Sequence, residues 1–220
     1  SMGQEIDKST FTPDEFSEFR RRLKLETDYL KQDLESGRFD ETGLNIGFEL
    51  EGWLLDASLC PLPLNDRFLE ACANDKLTLE LAKFNFEING SHYPFAHKSL
   101  SIIEYELNDL WGRCRQHAAE VGGEVAMIGT LPTARQSDFT VSNMSDRRRF
   151  RALYRQIDKY RRGYPASVHI EGKDIFAIDD SDIMFESAAT SLQMHLQIPL
   201  SQSVSAYNNA MVLSAPMVAV

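Results

Sequence analysis

The amino-acid sequence predicts an α+β domain in which a largely antiparallel sheet is covered by helices on one face. Three observations carry this. Helical and extended segments follow one another without a regular βα alternation, and several extended segments place apolar residues at every second position. Of the 220 residues, 43% are apolar, enough for one core. No repeat, low-complexity stretch or linker divides the chain, so a single domain over residues 1–220 is expected.

Ser1-Met2-Gly3 reads as the remnant of an expression tag, and residues 1–10 are expected to be disordered. Thr12-Pro13-Asp14-Glu15 is a capping box with proline at the first helical position, followed by Phe16, Phe19, Leu23, Leu30 and Leu34 near helical spacing. A first helix of about five turns follows from that pattern. Residues 46–53 alternate as a strand, 66–74 form a second helix, and 84–89 alternate again. The third helix is the clearest, with Ile102, Ile103, Leu107, Leu110, Trp111, Cys114, Ala118 and Val121 in one stripe that stops at Gly122-Gly123. A strand over 125–130 and a helix after Ser145, carrying Phe150, Leu153, Tyr154 and Ile157, come next. Asp179-Asp180 is expected to turn a hairpin between 173–177 and 183–185, leading into a last strand over 192–198. The apolar run from Ala210 to Val220 reads as a fragment boundary inside a larger fold.

A formal charge of -10, from 33 acids and 23 bases, repels nucleic acid and anionic membranes. Cys60, Cys72 and Cys114 show neither disulfide-framework nor zinc-knuckle spacing, which favours a reducing cytoplasm. No apolar run reaches the roughly 18 residues of a membrane span. The arginines at 147–149, 151, 161 and 162 lie on an amphipathic helix, and Arg149 is the candidate among them for a substrate phosphate or carboxylate. His92, His97, His117 and His169 lack a patterned partner, and there is no GxxxxGK[ST] loop.

Chemistry is carried by the strands. Alternate side chains point to opposite faces, so Ile46, Phe48 and Leu50 oppose Glu49, Glu51 and Trp53. Phe84, Phe86 and Ile88 oppose Asn85, Glu87 and Asn89, and Leu192, Met194, Leu196 and Ile198 oppose Ser191, Gln193, His195 and Gln197. Half-exposed antiparallel strands alternate in this way whenever one face is wet. The polar lists, however, contain no Lys or Arg, and carboxylates two residues apart repel one another unless a cation sits among them. Oxygen ligands with one imidazole and no thiolate suit Mg²⁺ or Mn²⁺ better than Zn²⁺.

Four segments in order, Gly47-Phe-Glu-Leu-Glu51, the run from Glu80 to Asn89, Ile128-Gly-Thr-Leu-Pro132 and Thr190-Ser-Leu-Gln-Met-His195, resemble the glutamate-cysteine ligase and carboxylate-amine ligase superfamily. The resemblance implies a glutamine synthetase-like core, a curved antiparallel sheet holding Mg²⁺ ions, ATP and a glutamate-like acid. It implies Glu49, Glu51, Glu80, Glu87 and His195 as metal residues, with Gln193 and Asn89 near nucleotide or substrate. It implies acyl-phosphate formation from ATP and capture by an amine such as cysteine, as in glutathione biosynthesis. Relatives carry His before the Pro of the third segment, where this chain has Leu131, and they continue well past the fourth. The chain is therefore expected to be the N-terminal part of such an enzyme, inactive alone and open to pairing with a second copy. The alternative is a non-catalytic regulatory or binding protein that keeps the sheet.

Overall fold

The computed structural model describes residues 4–162, 164, 166–181 and 183–218. It is α+β with an antiparallel sheet. In chain order the elements are α1 (Pro13–Glu35), β1 (Asn45–Leu55), α2 (Asn65–Cys72), β2 (Leu77–Leu79), β3 (Asn85–Asn89), β4 (Tyr93–Pro94), α3 (Ser99–Glu120), β5 (Glu124–Ala126), α4 (Arg148–Arg161), β6 (Ala166–Glu171), β7 (Ile175–Ser181), β8 (Leu192–Gln197) and α5 (Ser203–Met217). The chain divides into two compact units, one of residues up to 10, 48–90 and 103–193, the other of 11–47, 91–102 and 194 onward. Among the described residues no helix is long and apolar enough to cross a membrane.

In the first unit β1 pairs with β3 from Glu49↔Asn89 to Trp53↔Asn85, and β3 pairs with β2 at Thr78↔Glu87. Phe48, Leu50, Phe86 and Ile88 are buried on one face. Helices cover that face as the alternation demands: the Phe86 ring lies 4.8 Å from Phe68 of α2 and 6.1 Å from Trp111 of α3. Gly52 stands opposite Phe86, and a Cβ there would come within 2.6 Å of the ring, so the glycine lets the ring lie across β1. The Cys114 thiol donates to Cys72, tying the end of α2 to α3, and this bond together with burial pushes the Cys114 thiol up.

Helices are not confined to that face. Trp53 belongs to a second core with Leu81, Phe84 and Met184, against which Phe150, Tyr154 and Ile157 of α4 pack. Phe84, assigned above to the strand, sits in the turn before β3 and stacks on Trp53 at 5.6 Å. Residues 4–10 run against α4: Glu5 accepts from the Arg148 N–H at 2.7 Å, and Ser9 accepts from Arg155 at 2.9 Å.

Three sequence expectations change. The strand over 125–130 stops at Ala126, because the Ile128 carbonyl is taken by the Trp53 indole at 3.0 Å and by the Thr190 hydroxyl at 2.7 Å. The hairpin joins β6 to β7 around Gly172–Asp174, and Asp179-Asp180 lie within β7. Leu192, Met194 and Leu196 of β8 are exposed, so its apolar alternation does not mark a face packed into a core.

In the second unit α1 starts at the expected capping box, with Thr12 and Glu15 exchanging hydrogen bonds at 3.3 and 2.8 Å. Its apolar stripe buries nothing, and Phe19, Leu23 and Leu30 stay exposed. β4 pairs with Asn45–Ile46, while Asn45 donates to Gln197 at 2.8 Å. α5, unforeseen in the sequence, likewise has no buried residue.

Candidate metal centre

Backbone pairing decides which carboxylates meet. The Phe48 carbonyl and the Leu54 N–H bond toward the β3 side, whereas the Glu51 N–H bonds to the Ser191 carbonyl at 2.9 Å on the opposite edge of β1. Glu51↔Glu87 is therefore a non-hydrogen-bonded pair, the closer of the two antiparallel pair types, which brings the side chains together. Like charges so placed repel.

Glu80 completes the group from outside any strand, on the connector between β2 and β3. That connector is held by Asn65, the fully buried first residue of α2, whose amide donates to the Ala82 carbonyl at 3.1 Å, the Asn85 carbonyl at 2.9 Å and Ser145 Oγ at 3.1 Å. Ser145 then donates to the Glu80 carbonyl at 2.6 Å. One buried amide thus fixes the loop that presents the third carboxylate.

One carboxylate oxygen each from Glu51, Glu80 and Glu87 lie within 4.8 Å of one another. Ligand oxygens of an octahedral Mg²⁺ are about 2.9 Å apart when adjacent and about 4.1 Å when opposed, so the three carboxylates would have to draw together to share one ion, and three hard oxygen donors match its chemistry. Without a cation the cluster is strained electrostatically. Burial pushes the Glu80 carboxyl up to about 8, helped by its hydrogen bond to Glu87 and by the charges of Glu87 and Glu51. Burial also raises Glu51, with Glu87 and Glu49 adding to it, while hydrogen bonds from the Ser191 N–H and hydroxyl oppose the shift. Lys76 pairs with Glu106 of α3. Glu87 is only 3% exposed, so this face is no wetted surface.

The other sequence-identified residues fall into distinct places. Glu49 faces the same way as Glu51 and adds charge, but the close group is Glu51, Glu80 and Glu87. Asn89 spends its amide on β2, donating to Thr78 Oγ1 at 3.2 Å. Gln193 donates to Ser191 Oγ at 3.4 Å, beside Glu51. His195 is an exposed residue of the second unit and lies outside the close group. The Arg149 guanidinium sits 4.7 Å over the ring of Phe150.

A cavity of about 400 Å³ opens beside the carboxylates, with Glu51, Glu80 and Asn85 on the sheet side and Phe150 and Leu153 of α4 opposite. Among the described residues none of its lining side chains is basic. No family model, curated protein or solved structure matches the chain. The site's chemistry is therefore argued from its residues. Sequence reading placed Ser191 on the polar face without a role and missed Asn65 and Ser145, whose roles arise from contacts across the fold; an Asn at a helix start or a Ser in a loop carries no distinguishing pattern.

Proposed function

We propose that Glu51, Glu80 and Glu87 hold a divalent hard cation, Mg²⁺ or Mn²⁺, and that the chain serves an ATP-dependent carboxylate-amine ligase resembling glutamate-cysteine ligase on a glutamine synthetase-like sheet. The observation that supports this best is the convergence of three carboxylates beside a cavity without a basic lining residue. The order of the four sequence segments adds the reaction class.

When bound, the cation supplies charge neutralisation and alignment for phosphoryl transfer from ATP to a substrate carboxylate. The chain's own residues do the positioning. Asn65 and Ser145 set the loop of Glu80, Ser191 orients Glu51, and Phe150 with Leu153 gives the cavity apolar surface. Glutamate or a similar acid is the donor in this reading, with an amine as acceptor.

Calorimetric titration with Mn²⁺, followed by melting in Mg²⁺ and in MgATP, tests the proposal. Mn²⁺ is expected to bind, Glu51→Gln to weaken it about tenfold or more, and MgATP to raise the melting temperature beyond Mg²⁺ alone. Absence of heat and of any thermal shift up to about 10 mM metal, past the weak end of carboxylate sites, would count against the cation site. Metal binding without a further MgATP effect would count against the ligase.

A further inference from the structure

We infer that the cavity beside the three carboxylates takes a small primary amine that carries no carboxylate of its own, with Asn85 and Ser187 receiving its ammonium head. As the acceptor amine of a ligation, this ligand rests on the proposed function; as a ligand, it rests on the cavity alone.

Two buried side chains that line this cavity have no hydrogen-bond partner among the described residues. Asn85 is 2% exposed with both its amide oxygen and its amide nitrogen unpaired, and the hydroxyl of Ser187, a residue 7% exposed, is unpaired as well. Each such group costs about 1–3 kcal/mol unless something meets it. The strand register aims the amide: Asn85 stands opposite Trp53 as Glu87 stands opposite Glu51, so Asn85 shares the carboxylate face. Its burial and lack of a protein partner leave the cavity as the source of one.

Charge narrows the class of ligand. Glu51, Glu80 and Glu186 line the cavity, and no basic side chain among the described residues does. Arg149 lies over the Phe150 ring and is not part of the lining. A ligand carboxylate placed here would meet like charge with no counter-ion, a steep penalty in a partly desolvated site. An ammonium group has three donors and no acceptor, and Asn85 Oδ1, Ser187 Oγ and a carboxylate oxygen are three acceptors. Filling the group at Glu51, Glu80 and Glu87 with a divalent ion leaves Glu186, Asn85 and Ser187 unspent. Phe150 and Leu153 provide apolar surface for a short hydrocarbon stem.

The test is calorimetric titration of n-propylammonium, cysteine and glutamate into the whole chain, in chelator and again in saturating Mg²⁺. n-Propylammonium is expected to bind in both media, at least about tenfold more tightly than either amino acid, the factor set by one unpaired charge contact. Asn85→Leu removes the amide at similar volume. It is expected to leave the ligand-free melting temperature unchanged or higher and to weaken propylammonium about tenfold; Ser187→Ala is expected to weaken it about threefold. Cysteine or glutamate binding as tightly as propylammonium would overturn the inference, as would an Asn85→Leu protein that binds the amine undiminished. The two readings separate cleanly. Mg²⁺ binding without amine binding removes this inference and spares the cation site, and amine binding without Mg²⁺ binding does the reverse.

Discussion

From Asn85 to Ile88 the two faces of β3 are buried to nearly the same depth and are energetically opposite. On one side Phe86 and Ile88 are fully buried, and the Phe86 ring packs against Phe68 of α2 and Trp111 of α3. On the other, Asn85 and Glu87 are 2% and 3% exposed, yet the Asn85 side-chain amide has no partner among the described residues and Glu87 faces two further carboxylates. Burial of apolar groups stabilises without further conditions; burial of like charges destabilises unless something binds. At equal depth, then, one side of β3 holds the fold and the other carries an unpaired amide and crowded carboxylates.

Substitutions can break this contrast, beginning with the apolar face. Phe86→Ala is expected to cost about 3–5 kcal/mol in denaturant unfolding, by lost transfer energy and an unfilled cavity between Phe68 and Trp111. The Asn65 amide serves three acceptors, so Asn65→Ala is expected to cost about 3 kcal/mol and, unlike Phe86→Ala, to weaken Mn²⁺ binding by freeing the Glu80 loop. Gly52→Ala forces a methyl into the Phe86 ring and is expected to cost about 1–3 kcal/mol with metal binding unchanged. A Gly52→Ala protein as stable as the parent would show that the close approach of that ring is relaxed in solution.

The acid face responds to pH with a definite sign. Glu80 titrates near 8 when folded and near 4.5 when unfolded. Between those values the folded chain holds a proton that the unfolded chain has lost, so the contribution of Glu80 to metal-free stability is most favourable below about 4.5 and falls as pH rises toward 8. If the proposed site holds Mg²⁺ through the ionised carboxylates, saturating Mg²⁺ is expected to flatten that fall. Melting curves across this range, in chelator and in Mg²⁺, check both slopes.

What the sequence disclosed follows the reach of each interaction. The faces of β1 and β3 were legible because alternation is a property of neighbouring residues, and the capping box of α1 for the same reason. Glu80 stands in no strand and entered through resemblance alone. Asn65 and Ser145 are 80 residues apart, and their bond has no local signature. The apolar sides of α1 and β8 were equally readable, but a pattern of apolar residues states what wants cover without stating that cover exists; both remain exposed. The short β2 and the turn at Ile128 depend on partners elsewhere in the chain.

Glu80→Gln gives the most direct test, because glutamine imitates the protonated carboxyl and cannot ionise. In chelator near pH 5, wild type and variant are expected to melt together. Near pH 8.5 the variant is expected to melt higher, since it escapes the repulsion from Glu51 and Glu87. Adding Mg²⁺ at pH 8.5 is expected to reverse the order, raising wild type well above the variant. Coincident melting curves at both pH values, with and without Mg²⁺, would contradict a carboxylate cluster built to hold a cation.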